Sequence, residues 1–418
     1  MAEQKRIAII GGGIIGLSAA YFLQADGHEV TILEKDDIGA GSSRHNAGLV
    51  VPSHFVPLAA PGMVRLALRW MFNPESPLYV KPRLDVDLMT WLWHFVASCT
   101  RKKATRAMPL LRDLSLASYG LYEEMSDRGG LKFGLEKKGL LMLFRTEHGK
   151  RGTVGTAATA ASIGVDARVL NKAGLQELEP HVTYRATGGV YYPGDAHLVP
   201  AAFLECLRDL LLERGVNILT SRSVVGFETR PALISGVRTS DGMVKADEYV
   251  LAGGAWSPEI IRDLRLRFPM QAGKGYSITV PATREGPRIP CLLEEARVAV
   301  TPMGDQIRFA GTMELTGMTS DINLRRVHAL LRAVPKYFEN LHPSVEHAST
   351  VWSGLRPCTP DGLPYIGRFR GFDNLIAATG HAMIGVSLAP ITGRLVAEIV
   401  NQKIPSVDLL LMRPDRYA

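Results

Sequence analysis

The chain of 418 residues is 46% hydrophobic and 21% charged, the balance of an ordinary globular protein long enough for about two or three domains. Its net charge of +7 and pI near 9.2 would suit nucleic acid or an anionic membrane surface, but the basic residues are dispersed, so a solvated surface and no nucleic-acid partner are expected. Cys99, Cys206, Cys291 and Cys358 lack C-x-x-C or metal-ligand spacing, which predicts reduced thiols in a cytoplasmic protein and no metal site.

The first predicted unit runs from Arg6 to Glu34, RIAIIGGGIIGLSAAYFLQADGHEVTILE. An apolar strand leads into Gly11, Gly13 and Gly16, spaced G-x-G-x-x-G, and then into a helix from about Ile14 to Asp26. The glycines serve a tight turn, close backbone approach to a pyrophosphate, and close helix-to-strand packing. The helix aims its unpaired amides and positive dipole end at the phosphates. Glu34 ends the second strand 18 residues beyond Gly16, where a carboxylate accepts hydrogen bonds from ribose hydroxyls. The unit predicts a dinucleotide site, but it does not separate FAD from NAD. Because this apolar run is a nucleotide-binding strand, no secretory signal is expected, and no run of about 18 apolar residues is present to span a membrane.

The connection DDIGAGSSRHNAGLVVPSHFVPLAAPG is too rich in glycine, serine and proline for a helix, and it can thread across a flat ligand. Helices are predicted over about 85–100 and 108–128. Within LMTWLWHFVASCTRKK, residues 88 to 103, aromatic residues precede Arg101, Lys102 and Lys103, which suits a helix at a membrane interface. The preferred alternative is a core-facing helix whose C-terminal cations complement its dipole. A buried strand is expected over 138–146. A helix opened by Pro200 and closed by Gly215 leads to the strand VNILT, beside the first sheet. Three antiparallel strands follow at 223–229, 233–239 and 244–252. Strands recur between 269 and 312, a helix spans about 323–340, and a strand, a loop GHAMIG and a helix to about Val400 close the chain.

Beyond GGGIIG, the pieces SSRHNAGLVVP, GDAHL, LAGGAWSP, KGYSITVP, GLRPCTPDGLPYIG and ATGHAMIGVSLAPITGRLVAEI together resemble the flavin-dependent D-amino-acid oxidase superfamily, most closely its D-amino-acid dehydrogenase branch. The resemblance covers nearly the whole chain. It implies an α/β fold in which a Rossmann-like FAD-binding domain (1–60, 152–268 and 348–418) is interleaved with an α+β substrate-binding domain (61–151 and 269–347) carrying a mixed or antiparallel sheet. It also implies non-covalent FAD. The cofactor would be held at the nucleotide end by Gly11, Gly13, Ile14, Ile15, Gly16, Glu34 and Lys35, with Val224, Gly253, Gly254 and Trp256 beside it. Ser42, Ser43, Asn46, Ala47, Gly48 and Leu49 would line the flavin. Arg356 and the loop Gly380, His381, Ala382, Met383, Ile384, Gly385 and Val386 would close over it.

In such enzymes hydride leaves the α-carbon of an amino acid for the flavin. The resemblance gives Arg356 the substrate carboxylate, with a structural ion pair as the bland alternative. Tyr276 would donate its hydroxyl to the substrate, or be a sheet tyrosine. Met313 and Met383 would wall the side-chain pocket. His45 would contact the flavin, or link to it. His381 is expected to anchor its loop, because hydride transfer from a neutral amine needs no base. Glycine oxidases carry an arginine where this chain has Met383, and tyrosines near Glu294 and Ala299, so a larger apolar or proline-like side chain is expected. With one dinucleotide fingerprint, electrons would pass to a quinone or a partner protein, with peripheral contact at the inner face of the cell membrane. Three rivals are a subunit of a heteromeric opine or D-hydroxyproline dehydrogenase, a flavin-binding scaffold without turnover, and a plain NAD enzyme.

Overall fold

A computed structural model describes residues 3–71 and 76–417. The fold rests on two large sheets. The first has six strands in the order Tyr365–Arg368, Leu375–Thr379, Glu248–Leu251, Arg6–Ile10, Glu29–Leu33 and Asn217–Leu219. All its pairings are parallel except the antiparallel edge strand Tyr365–Arg368. Its central strands are buried on both faces, which is why they read as continuous apolar runs. The helices Ile14–Ala25 and Gly385–Val400 pack on one face so closely that a Cβ on Gly393 would sit 2.4 Å from the Ser18 carbonyl oxygen.

The second sheet runs Thr350–Cys358, Gln271–Pro281, Gln306–Leu315, Val298–Met303, Cys291–Leu293, Leu140–Phe144, Gly188–Tyr192 and Arg168–Asn171, with Leu78–Val80 added alongside Gln306–Leu315. It is mixed, because Cys291–Leu293 lies parallel to Leu140–Phe144 and Leu78–Val80 parallel to Gln306–Leu315, while the remaining pairings are antiparallel. Strand alternation sorts its residues. Tyr276, Ile278, Val280, Val298, Val300, Ile307 and Phe309 face a core covered by the helix Leu324–Ala333. The opposite face, carrying Gly275, Ser277, Ala299, Ala310 and Gly354, borders a cavity. Small residues across four strands leave room there for a flat molecule.

Several expectations shift. The segment 244–252 divides: Gly242–Val244 closes a small antiparallel sheet, while Glu248–Leu251 joins the first sheet parallel to Arg6–Ile10. Arg168–Asn171, Gly188–Tyr192 and Thr350–Cys358, expected with the nucleotide-binding part, pair within the second sheet instead. Long-range pairing of this kind leaves no local sequence signal. The helix expected from 108 starts at Arg101, because the Thr100 hydroxyl accepts the Lys103 amide and caps it. Arg101, Lys102 and Lys103 therefore open the second helix rather than closing Val86–Ser98. The helix expected to reach 340 stops at Ala333, before Pro335. Residues 1, 2, 72–75 and 418, included in the expected domain division, lie outside the described residues.

Candidate active site

A cavity of about 1130 Å³ runs between the two sheets, from the first glycine turn to Arg356. Its nucleotide end is shaped by close approach. Gly11 has φ +116°, and a Cβ there would sit 2.4 Å from the Ala252 carbonyl oxygen; a Cβ on Gly16 would fall 1.9 Å from the Gly11 oxygen. No side chain fits either position. Glu34 is fixed at the strand end by the Gly12 amide at 2.7 Å and the Asp36 amide at 3.0 Å, leaving lone pairs on both oxygens. Ile14 donates its amide to Ser43 Oγ at 3.0 Å, so Ser43 takes one of the amides that the helix was expected to aim at phosphate. The hydroxyl proton of Ser43 remains for a ligand. Gly13, Ile15, Val224, Gly253 and Gly254 line this end, and Lys35 places its ammonium 4.2 Å from the Trp256 ring.

The middle of the cavity is bounded by the segment Ser42 to Val51. Gly48 has φ +72°, and a Cβ would collide with the Leu198 carbonyl oxygen at 2.2 Å. Asn46 Oδ1 accepts the Gly48 amide, Ser42 Oγ donates to the Leu355 carbonyl, and Ala47 and Leu49 line the wall. Two residues unforeseen from sequence hold this segment. Arg308, buried in the second sheet, donates to the Asn46 carbonyl at 2.8 Å and to Thr279 Oγ1 at 3.1 Å. Ser387, in the first turn of the last helix, accepts the Val51 amide at 2.9 Å and donates to the Leu49 carbonyl at 3.0 Å. His45 lies 5.2 Å from the Trp352 ring, and its Nδ1 is buried without a partner among the described residues. Burial, followed by Arg308 and Arg44, lowers His45 to about 4. It is therefore neutral and open to a ligand's hydrogen bond.

The loop Gly380 to Ile384 is pinned to the Arg356 strand. Ala382 donates its amide to the Pro357 carbonyl at 2.9 Å, and His381 is buried with Nε2 2.9 Å from Thr392 Oγ1. Burial lowers His381 to about 3. Met383 is 49% exposed at the cavity rim, where Gly385 and Val386 begin the helix.

Arg356 has the geometry of an anion receptor. Its guanidinium lies over Gly275, where a Cβ would come within 2.0 Å of Nη1 and 2.4 Å of Nη2. Nη1 donates to the Thr312 carbonyl at 2.7 Å, and among the described residues no carboxylate pairs with it. Burial lowers its pKa. A covered cation with free N–H groups and no counter-ion is what a carboxylate ligand completes. The structural ion pair offered as its alternative is absent among the described residues. Met313 packs with Trp91 and Ala382 and lines the same cavity as Arg356. Trp91, grouped with the aromatic run by sequence, is 3% exposed and donates its indole N–H to the Cys358 carbonyl at 2.8 Å.

Tyr276 corrects an expectation. Its ring is 1% exposed on the opposite face of the sheet, its hydroxyl donates to Glu314 at 3.2 Å, and its oxygen accepts the Asn323 amide at 3.3 Å. Glu314 is in turn bound by Arg326 at 2.8 Å and Lys274 at 3.6 Å. Strand alternation turns the Tyr276 hydroxyl into this network, although the residue also lines the cavity.

The FAD dependent oxidoreductase (DAO) family model matches residues 6–399. The chain belongs to this family. DAO relatives include a D-amino acid dehydrogenase of Granulibacter bethesdensis, 35% identical over 99% of this chain and 100% of that one. Another, from Methylobacterium nodulans and of the same name, is 35% identical over 96% of each chain. In fold, the DAO chain is similar to glycine oxidase from Geobacillus kaustophilus, with a TM-score of 0.79 and 23% identity over 99% of both chains. It is also similar to L-proline dehydrogenase from P. horikoshii, with a TM-score of 0.74 and 20% identity over 100% of this chain and 98% of that one.

The protein is thus an FAD-dependent oxidoreductase. The glycine turn without room for side chains, the anchored Glu34 and the unpartnered His45 nitrogen all fit that cofactor. Gly11, Gly13, Ser43 and Glu34 would hold its nucleotide half; His45, Asn46, Gly48 and the Gly380–Val386 loop would hold its ring.

Proposed function

We propose that this enzyme oxidises D-amino acids at the α-carbon to the imino acid, which water converts to the 2-oxo acid. The observation that carries the reading is the unpaired Arg356 guanidinium, open to the FAD cavity. When bound, FAD supplies the acceptor for the α-hydrogen and its electron pair. The chain supplies orientation. Arg356 grips the substrate carboxylate through the N–H groups that Thr312 leaves free. Met313 and Met383 wall the side chain, which favours apolar or proline-like substrates. The N-terminal end of the helix Gly385–Val400 favours negative charge at the cavity as electrons arrive. The names of the curated relatives support the D hand.

Electrons then pass to a quinone or a partner protein rather than to oxygen. An exposed apolar face supports docking at the inner surface of the cell membrane. Leu84, Val86, Met89, Trp93 and Val96 are exposed there, followed by the exposed Arg101, Lys102 and Lys103. No helix among the described residues is long and apolar enough to cross a membrane. The same face favours one second reading, a catalytic subunit of a heteromeric opine or D-hydroxyproline dehydrogenase whose companion covers it. Gel filtration from the native host separates the two. The decisive experiment mixes the purified yellow protein anaerobically with paired D- and L-amino acids. Bleaching by D-amino acids is expected, and no bleaching by any of them refutes the proposal.

A further inference from the structure

Asp195 is a buried carboxyl group without an ion-pair partner among the described residues. It is 1% exposed, and both its oxygens accept from one residue. Oδ1 takes the Ser53 amide at 3.1 Å and Oδ2 the Ser53 hydroxyl at 2.5 Å. A carboxylate buried with two donors and no cation is unfavourable as structure alone. Ser53 Oγ also lies 3.3 Å from His54 Nδ1, and both Ser53 and His54 line the cavity that holds Arg356.

The directions of these bonds follow from what each group can donate. An ionised Asp195 only accepts, so the single Ser53 hydroxyl proton is committed to it. Ser53 Oγ can then only accept from His54, which places the ring proton on Nδ1. His54 Nε2, without a partner among the described residues, is left with a lone pair. Placing one proton on Asp195 reverses every bond in the chain and puts a proton on Nε2. The two protonation states of a buried acid are thereby read out at the far ring nitrogen of a residue that lines the cavity.

We propose that His54 Nε2 accepts the proton of the substrate's α-ammonium group, and that Ser53 relays it to Asp195. The inference rests on the amine-oxidation reading above. The substrate enters as R–CH(NH3+)–COO−. One N–H bond breaks and its proton bonds to Nε2. The Nδ1 proton passes to Ser53 Oγ, and the Ser53 proton passes to Asp195 Oδ2. The substrate is left as a neutral amine, His54 as its other neutral tautomer, and Asp195 as a neutral acid. The amine lone pair is what loss of the α-hydride requires, so this step precedes the oxidation and leaves the hydride transfer itself without a base.

The surroundings suit each group. Burial raises Asp195 to about 7. Burial, followed by the nearby Arg297, lowers His54 to about 4. The proton therefore rests on the acid rather than on the imidazole. Tyr119, Tyr191 and Tyr192 surround Asp195, all pushed up by burial. Glu294 is raised by burial against the opposing pull of Arg297, its ion-pair partner at 2.8 Å. Asp195 is raised into the neutral range, and of these groups it is the one hydrogen-bonded to Ser53.

The test follows anaerobic flavin reduction in the holoenzyme against pH, with a D-amino acid that bleaches the wild type. Asp195→Asn keeps an oxygen to accept the Ser53 amide and offers its NH2 to Ser53 Oγ, but it cannot take the proton. It should slow reduction by about a hundredfold at neutral pH, the size of a general-base effect. The loss should disappear under alkaline conditions, where the substrate amine is already neutral. His54→Gln should reproduce both results and serves if Asp195→Asn does not yield folded, FAD-loaded protein. Either variant reducing its flavin at the wild-type rate and with the wild-type pH profile overturns the relay. So does an equal loss at every pH, which is the mark of a merely structural role. A wild type that no D-amino acid bleaches instead refutes the underlying reading, and the relay with it.

Discussion

The carbonyl oxygen of Thr312 accepts a 2.7 Å hydrogen bond from Nη1 of Arg356, and Thr312 adopts φ +68° in presenting it. A β-branched residue is strained there. The distortion coincides with a β-bulge, because Lys274 pairs with Glu314 while Tyr276 pairs with Gly311. The extra residue breaks the ladder and turns a main-chain oxygen toward the guanidinium. Thr312→Gly should relieve about 1–3 kcal/mol of strain, offset by about 1 kcal/mol of chain entropy. A small gain in thermal stability with unchanged KM is expected, since the acceptor is backbone. A large rise in KM would show that the threonine side chain itself matters.

Arg356→Lys keeps a charge but loses the planar fork, and kcat/KM with a dye acceptor should fall roughly a hundredfold, about 3 kcal/mol. Arg356→Ala should fall further while retaining yellow FAD absorbance. Full activity in the alanine variant would favour a cofactor-holding scaffold.

Arg308 ties Asn46 and Thr279 across the sheets. Arg308→Met fills similar volume yet leaves the Asn46 carbonyl without its donor, at about 1–3 kcal/mol. FAD should be lost during gel filtration, with little change in KM for the protein that stays loaded. Retention equal to wild type would remove this role.

The buried His381 predicts a pH dependence of stability. An unfolded histidine binds its proton near 6.5, whereas burial holds His381 near 3. Between these values the unfolded chain carries more protons, so stability is fully present above about 6.5 and falls as the pH drops toward 3. His45 and His54 act with the same sign, while the raised Asp195 acts oppositely between its ordinary 3.8 and about 7. Urea unfolding across this window should show a shallower acid slope for His381→Gln. An unchanged slope would sink the assignment.

The two tryptophans of the helix Val86–Ser98 should behave differently. Trp93 is 67% exposed, and Trp93→Ser should cut flotation with anionic liposomes severalfold at unchanged stability. Trp91→Ala, emptying a buried site, should cost about 3–5 kcal/mol. Flotation indifferent to Trp93 would leave the apolar face to a protein partner.

The nucleotide end was legible from the sequence because its parts are contiguous: strand, glycine turn, helix, second strand and Glu34 occupy one unbroken stretch, and each acts through local backbone geometry. The family resemblance carried Arg356 and the Gly380–Val386 loop into the same site. Tyr276 was misplaced because the side of the sheet it faces depends on what packs behind, where Glu314, Lys274 and Arg326 meet around its hydroxyl. Trp91 and Trp93 look alike in sequence, yet only one reaches the Cys358 carbonyl.

Sequence by itself thus pointed to a dinucleotide cofactor and to the turn expected to hold it, since a turn without room for side chains is written in consecutive residues. Tertiary structure alone decided that Arg356 has no counter-ion among the described residues, that Thr312 is bent toward it, and that Asp195 lies against Ser53 from 142 positions away. Charge compensation, strain and burial are properties of what surrounds a group, and those surroundings exist only once distant segments have packed.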